Sequence, residues 1–428
     1  MLAGVGATTL AGALGLNALS ARAASSKVVS WTINGPGGDI TQKAVLPLFK
    51  KKFPDIGVDI TSEPVGDFLA KVAVAMSAKS DRYDVICEDY NYVTQFSRAG
   101  SATSLEPYLE KDPAFRDDIL SDIPENVLDL YRDKPAKEGG RLYGLPYLAN
   151  CQLQYVRRDI LDKYNLGIPE TWDDVVTGEG RKIVGTTMRR GLFAGAYFIA
   201  LLRSYGGDWF DKMEKGGFHP QLDGEEGHKA MDIFMKLLRF TEPVAFNASD
   251  DEANQSLMTG SWYLAPNEWG SAAVLDPQFS QFAHKLMVTK CPAGTGTNAR
   301  SAGHMGGLGF FIPSYSHNPD AAWDFIKFYL SGPKQNPEVA KVAIGTSQQP
   351  PRLSLLNQYR GERPFLGGLA DALPHAIRYP AIPESPSLYE IVGNEISEIA
   401  AGQKDPETAL KAMQDGATRA MEKAGYYK

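Results

Sequence analysis

The chain has 428 residues, which is too long for one ordinary hydrophobic core and predicts two lobes or domains. Its hydrophobic share of 43% and charged share of 22% are typical of a globular protein, and they exclude a disordered chain and a bundle of membrane helices. The formal net charge of −7 offers no basic patch for nucleic acid, so we expect no nucleic-acid partner.

The first 23 residues form a weakly apolar run rich in glycine, alanine and threonine. The run ends in Ala21-Arg22-Ala23, a small-x-small cleavage pattern, and we interpret residues 1–23 as a signal peptide, of a twin-arginine type with a shortened start. The alternative is a membrane anchor, which the polar residues of the run disfavour. No cysteine stands at the cleavage site, so we expect an exported, soluble periplasmic protein without a lipid anchor.

The sequence contains little that suggests redox or metal chemistry. Its three cysteines, Cys87, Cys151 and Cys291, lie in apolar or strand-like contexts, and we expect buried thiols. The six histidines are scattered without the spacing of a metal site. We therefore expect neither a metal nor a cofactor.

Three short apolar stretches in the first hundred residues predict strands, over residues 27–35, 58–64 and 83–89. Helical patterns alternate with them, and this order predicts a parallel sheet with crossover helices. Ligands of such sheets bind beyond the carboxyl ends of the strands, so residues 31–39, 63–66 and 88–92 become the main candidates for a site. The Gly-Pro-Gly-Gly-Asp turn in the first of these lacks the lysine of a phosphate-binding loop and predicts a tight turn.

The middle of the chain begins with a long extended stretch, residues 142–156, in which Asn150 is a polar side chain that needs a partner. Thr171 precedes a helix as its N-cap, in the phrase Pro-Glu-Thr-Trp-Asp-Asp. An apolar helix follows from Leu192, and an amphipathic one covers residues 225–240.

Residues 303–330 join a glycine-rich bend, a strand and a helix in one run. Gly306, Gly307 and Gly309 allow the backbone to approach another group closely, and the apolar strand after them stops at Pro313. Asn318 and Pro319 mark the start of a helix with an apolar face. Trp323, inside that helix, is expected to be a core residue.

This run resembles the late core motif of the family 1 extracellular solute-binding proteins, the maltose-binding-protein-like sugar receptors of ABC importers. The Gly-x-Pro-Tyr pattern near residue 146, the Pro-Glu-Thr-Trp phrase and the closing Gly-x-x-Asp-Pro-Glu-x-Ala-Leu turn match the same family. The resemblance extends from Trp31 to Gly425, nearly the whole mature chain.

The resemblance implies an α/β chain with a type II periplasmic-binding-protein fold, in which two α/β lobes are joined by a hinge and hold the ligand in the cleft between them. We expect residues 24–149 and 304–347 in the first lobe, and residues 150–303 and 348–428 in the second. Such a receptor closes on a sugar, oligosaccharide, sugar alcohol or sugar derivative and delivers it to the transmembrane subunits of an ABC permease. We expect a monomer that carries out no chemistry.

Sugars present apolar C–H faces and a rim of hydroxyl groups, so a receptor needs aromatic plates together with polar side chains. Trp31 and Trp269 are the best plate candidates, and for each single aromatic residue the competing interpretation is core packing. The resemblance adds Tyr197, Tyr389 and Arg352. The full set of expected ligand-binding residues is Trp31, Asn34, Glu63, Glu88, Asp89, Asn91, Asn150, Tyr197, Glu268, Trp269, Gly306, Gly307, Arg352 and Tyr389.

Two alternatives stay open at this level. Glu88 or Asp89 could pair with Glu268 as the two carboxylates of a secreted carbohydrate-active hydrolase. Within the receptor class, a sugar phosphate or sulfonate is the nearest rival to a neutral sugar, because arginines at positions 190, 300, 352 and 378 could pair with an anion.

Overall fold

In a computed structural model of the chain, residues 26–33, 41–63, 71–72, 74–134, 139–177, 185–211, 217–345 and 349–427 are described. This part of the chain contains seven strands. They are β1 (Ser26–Ile33), β2 (Ile56–Glu63), β3 (Val85–Asp89), β4 (Gly144–Arg157), β5 (Leu264–Trp269), β6 (Leu286–Thr289) and β7 (Met305–Phe311).

Several helices pack against these strands. They are α1 (Leu46–Lys52), α2 (Val93–Arg98), α3 (Glu106–Lys111), α4 (Pro113–Asp122), α5 (Glu125–Leu128), α6 (Arg158–Tyr164), α7 (Trp172–Thr177), α8 (Leu192–Ser204), α9 (Glu225–Leu237), α10 (Asp250–Thr259), α11 (Pro319–Tyr329), α12 (Pro337–Gly345), α13 (Leu353–Tyr359), α14 (Pro364–Ala372), α15 (Ser385–Ala400) and α16 (Pro406–Lys423). None of the helices in the described ranges is both long and apolar enough to cross a membrane.

The first lobe is built on a mixed sheet in the order β2, β1, β3, β7, β4. Strand β1 pairs in parallel with β2 and with β3, as the alternation of strand and helix patterns predicts. Strand β3 then pairs antiparallel with β7. The return of the chain through β7 makes this strand part of the first sheet although it comes more than two hundred residues later.

Strand β4 passes from the first sheet into the second. Its first half, Gly144 to Cys151, pairs antiparallel with β7, and its second half pairs antiparallel with β5 and β6. A strand of 14 residues is long enough to serve both sheets. The chain therefore has two α/β lobes linked by β4 and β7; the boundaries given above remain predictions.

Buried aromatic side chains hold the helices onto the sheets. Phe49 of α1 packs edge-on against Phe325 of α11, with ring centroids 5.4 Å apart. Trp323 is 4% exposed and lies 5.3 Å from the ring of Tyr108, in agreement with its expected core role. In the second lobe α8 packs against α15, which packs in turn against α16.

The predicted helix starts are confirmed. Thr171 accepts a hydrogen bond from the backbone N–H of Asp174 at 3.2 Å, as expected of an N-cap residue. Helix α11 begins at Pro319, directly after Asn318.

Candidate functional site

The pairing of the strands brings several expected site residues together along β7. Glu88 of β3 lies opposite Gly309, and Asn150 of β4 lies opposite Gly306. On the other side of β4, Trp269 of β5 lies opposite Gln152. Residues from three distant parts of the sequence therefore meet where the two lobes join.

Gly306 permits the closest of these approaches. A Cβ atom at this position would lie 2.8 Å from the ring of Trp269 and closer still to Oδ1 of Asn150. At Gly307 the backbone has φ +155°, and a Cβ there would lie 2.7 Å from the carbonyl oxygen of Leu148. The glycine pair thus lets Asn150 and Trp269 pack directly on the backbone of β7.

Glu268 lies beside Trp269 with only 1% of its surface exposed. Its Oε1 accepts hydrogen bonds from the backbone N–H of Trp269, at 2.9 Å, and from the hydroxyl of Thr187. Oε2 has no hydrogen-bond partner in the described part of the chain. Burial, and then the nearby carboxylate of Asp250, raise the pKa of Glu268 to about 8.

Glu88 and Asp89 end strand β3. The side chain of Glu88 is fully buried, its Oε1 accepts from the backbone N–H of Asp89 at 2.7 Å, and its Oε2 has no partner among the described residues. Burial raises the pKa of Glu88 to about 8 and that of Asp89 to about 7. Oδ1 of Asp89 accepts from the backbone N–H of Asn91 at 2.9 Å, so it also fixes the turn after the strand.

A chain of ring contacts links the two lobes at this point. The rings of Tyr90 and Tyr379 are 5.4 Å apart, those of Tyr379 and His304 are 4.1 Å apart, and those of His304 and Trp269 are 5.9 Å apart. The hydroxyl of Tyr90 also donates to the carbonyl of Met305 at 2.6 Å. The ring of Trp269 therefore packs against His304, which in turn packs against Tyr379.

His304 is completely buried, and burial lowers its pKa to about 3. The neutral ring satisfies both nitrogens: Nδ1–H donates to the carbonyl of Met305 at 3.0 Å, and Nε2 accepts from the hydroxyl of Tyr389 at 2.5 Å. The structure thus places His304 in a supporting role. Among the described residues no group of histidine, cysteine and carboxylate side chains could hold a metal ion.

Tyr197 and Tyr389 are both buried, and the ring of Tyr389 packs against the cluster, with its centroid 4.3 Å from that of Tyr379 and 5.2 Å from that of His304. Tyr197 is 1% exposed, and its ring packs edge-on against Trp172 and Phe234. Tyr389 is fully buried and its hydroxyl is shared between His304 and the Nε1–H of Trp209. Both are core residues, which corrects the expectation that they serve as plates.

Arg352 also lies elsewhere. Its guanidinium pairs with Asp118 at 2.8 Å and Asp122 at 3.1 Å, and its Nε donates to the carbonyl of Leu330 at 3.0 Å. Because these partners occupy the head group, Arg352 fastens the chain before α13 to helix α4. The expectation of a cleft arginine at this position is corrected.

The structure does not describe the side chains of three further expected residues. Trp31 and Glu63 lie in β1 and β2, where they pair with Thr61 and Ile33, but their side chains are outside the described residues, and Asn34 is outside them altogether. Their part in the site stays a prediction.

Other residues join the cluster that the sequence did not single out. Thr187 reaches Glu268 from the segment before α8, and Asp250 is the first residue of α10. Tyr379 comes from a proline-rich segment beside His304. The only signal for Asp250 was its place directly after the N-cap Ser249, which predicts a helix start and no more.

Comparison with known proteins identifies the family. The pattern of the bacterial extracellular solute-binding proteins matches residues 34–335. The chain belongs to this family. This solute-binding protein is 25% identical over 325 residues to a probable ABC transporter-binding protein of Deinococcus radiodurans. The aligned residues cover 68% of this chain and 75% of that relative.

Two further similarities extend over almost the whole chain of this solute-binding protein. A maltotriose-binding protein of Pyrococcus abyssi is 23% identical over 404 residues, which cover 92% of this chain and 82% of the relative. The crystal structure of an ABC transporter solute-binding protein of Agrobacterium radiobacter K84 in complex with ribitol superposes with a TM-score of 0.76 at 21% identity, covering 92% of this chain and 98% of the other. The fold is therefore the two-lobed α/β fold of these receptors.

Proposed function

We propose that this protein is the exported receptor of an ABC importer and binds a sugar or sugar alcohol between its lobes. The observation that carries the proposal is the cluster of Trp269, Asn150 and Glu268 around Gly306, at the point where β4 and β7 pass between the lobes. An indole ring beside buried oxygen acceptors is the combination that a carbohydrate requires.

Transport would proceed by closure of the lobes. A ligand that touches residues of both lobes favours the closed conformation because it gains contacts there that the open one lacks. Glu88 contributes from the first sheet, and Glu268 with Trp269 contributes from the second. The closed form would then present its lobe surfaces to the transmembrane subunits of the permease, and the receptor itself would act as a periplasmic monomer without a lipid anchor.

A thermal-shift screen of the mature protein, residues 24–428, tests the proposal. A ligand that binds only the folded state raises the unfolding midpoint, so at least one neutral sugar, oligosaccharide or polyol should do so. The shift at the same ligand concentration should be much smaller in Trp269→Ala. If no carbohydrate of any kind raises the midpoint, the proposal is wrong.

The hydrolase alternative is tested separately. A glycosidase needs two carboxyl groups that act on one bond, about 5–9.5 Å apart. Here the carboxyl group that raises the pKa of Glu268 is Asp250, and the one that raises the pKa of Glu88 is Asp89. Glu88 and Glu268 therefore do not influence each other as the two members of such a pair would. We expect no hydrolysis of nitrophenyl glycosides; release of nitrophenol that Glu268→Gln abolishes would favour the enzyme.

A further inference from the structure

Glu268 is held in place through one of its two carboxyl oxygens. Oε1 accepts hydrogen bonds from the backbone N–H of Trp269 and from the hydroxyl of Thr187, whereas Oε2 has no partner among the described residues. The residue is 1% exposed, so the protein shields Oε2 from bulk water. A buried polar atom without a partner costs free energy, and a ligand group that bonds to it would recover that cost.

The titratable groups around Glu268 are acids. Burial, and then the carboxyl group of Asp250 at the start of α10, raise the pKa of Glu268. Burial, and among smaller causes the charge of Glu268, in turn raise the pKa values of Tyr155 in β4, Tyr197 in α8 and Cys291 after β6. Each of these groups is neutral or negative, so none of them favours a negative charge on Glu268.

No cation offsets this surrounding within the described ranges. The interactions that set the pKa of Glu268 include no lysine, arginine or histidine of those ranges. Arg189 acts instead on Asp250, where burial and then Asp251 outweigh it and raise the pKa to about 6. A buried carboxyl group that has an ionised carboxylate beside it and no cation favours its neutral form, and Glu268, with a pKa of about 8, keeps its proton at neutral pH.

A neutral carboxylic acid contacts a ligand differently from a carboxylate. It has one O–H donor, whereas a carboxylate can only accept hydrogen bonds. Oε1 of Glu268 already accepts from two donors, so the proton belongs on Oε2, the oxygen without a partner. This O–H is then available as a donor to a ligand oxygen.

We propose that Glu268 contacts the ligand as a neutral carboxylic acid that donates a hydrogen bond from Oε2, and that ligand binding is therefore linked to the uptake of a proton. The inference rests on the proposed function and specifies how one residue of that site acts. Loss of the proton replaces the donor by an anion that repels the same ligand oxygen, so the ionised protein should bind weakly.

The pH dependence of the dissociation constant measures this linkage. Isothermal titration calorimetry uses the mature protein and the neutral sugar or polyol that gives the largest thermal shift, between about pH 7 and about pH 9. Binding to the neutral acid alone is fully present below the pKa of the free protein and is lost above it. With a pKa of about 8, the affinity should fall on the order of tenfold over this range.

The proton itself can be counted near pH 8. About half of the free protein is ionised at Glu268 there, so binding should take up about half a proton. The measured binding enthalpy should then differ between two buffers of different ionisation enthalpy, in the direction of proton uptake.

Glu268→Gln tests the assignment to this residue. The amide places an N–H donor where the neutral acid has its O–H, and it does not ionise. The variant should bind within about threefold of the wild-type protein near pH 7, and its loss of affinity up to pH 9 should be smaller by on the order of tenfold, whatever Glu88 and Asp89 contribute. Glu110→Gln, on the exposed face of α3, is the matched control and should keep the wild-type profile.

Asp250→Asn is a second, independent variant. It removes the carboxyl group that raises the pKa of Glu268, so the loss of affinity should begin at lower pH than in the wild-type protein. A profile that stays in place or moves to higher pH would overturn the inference. The unfolding midpoint of each variant checks that it is folded.

The outcomes separate this inference from the proposed function. If no carbohydrate binds the wild-type protein at any pH, the proposed function fails and this inference fails with it. If a carbohydrate binds the folded protein as tightly near pH 9 as near pH 7, the inference is overturned while the receptor function stands. The same holds if the wild-type and Glu268→Gln proteins lose affinity equally, or if the wild-type protein takes up no proton near pH 8.

Discussion

Substitution of Gly306 by alanine should weaken ligand binding strongly while the fold persists. The added methyl group would lie 2.8 Å from the Trp269 ring and closer still to Oδ1 of Asn150. Favourable contacts between such atoms are found at about 3.5–4.0 Å, so the ring must retreat by roughly 0.7 Å and the amide by more. Both obstacles are side chains, and φ at Gly306 is not positive, so the backbone itself can accept alanine.

The size of the effect follows from these displacements. A hydrogen bond stretched from about 2.9 Å to more than 3.5 Å is effectively lost. Losing one to a buried partner costs about 1–3 kcal/mol, or on the order of tenfold to a hundredfold in Kd. The free energy of unfolding should fall by about 1–3 kcal/mol, the usual cost of overpacking, and the fold persists because the strand keeps its pairing.

Calorimetry with the carbohydrate that stabilises the wild-type protein measures the change in Kd. The unfolding midpoint reports the change in the free energy of unfolding. Gly57→Ala in β2 is the matched control, since no atom lies within 4 Å of a Cβ built there. Gly307→Ala should destabilise the protein more strongly than Gly306→Ala, because its φ is +155° and the obstacle is a backbone oxygen. Wild-type affinity in a folded Gly306→Ala protein would refute the placement of the site.

Three further predictions concern side chains of the cluster and its neighbourhood. Trp269→Ala should weaken carbohydrate binding by about 2 kcal/mol, roughly thirtyfold in Kd by calorimetry, since it removes a central aromatic contact. Arg352→Ala should lower the free energy of unfolding by on the order of 3 kcal/mol in urea titrations, because it removes the cation paired with Asp118 and leaves Asp122 with hydrogen bonds from Ser354 only, yet leave the carbohydrate Kd unchanged. Glu268 has a pKa of about 8 in the fold against 4.5 normally, so the native state retains a proton that the unfolded chain loses, and stability should fall as pH rises from about 4.5 to about 8. Glu268→Gln should show a smaller fall in unfolding midpoint over that window; parallel curves would contradict the assignment.

The parts of the fold that local patterns encode could be predicted from the sequence. Strands β1, β2 and β3 are short apolar runs separated by helical patterns, and their parallel pairing follows from that order. The start of α11 is encoded by Asn318 and Pro319. These features depend on neighbours in the sequence, so the chain alone suffices to predict them.

The errors concern contacts between distant residues. The partners of Arg352 lie 230 and 234 residues earlier, in α4, and no local pattern reveals that they occupy its guanidinium. Tyr197 lies in α8, which is buried on nearly all sides, so no polar face shows which aromatic side chain reaches the cleft. Tyr379 lies in an irregular segment without a period and was missed for that reason.

Trp269, with Glu268 beside it in a segment bounded by proline and glycine, was a candidate from the sequence, and its role in ligand binding stays a prediction, but the chemistry of Glu268 was not visible in the sequence. The unpartnered Oε2 of Glu268 and the raised pKa of the group depend on burial and on Asp250. Such properties arise only from contacts between residues that are distant in the sequence.

The most direct test is a crystal structure of the mature protein with the neutral carbohydrate that gives the largest thermal shift. The account predicts one molecule between the lobes, with a C–H face on the indole of Trp269 and hydroxyl groups within hydrogen-bond distance of Glu268 Oε2 and Asn150 Oδ1. A carbohydrate bound away from β4, β5 and β7 would contradict it.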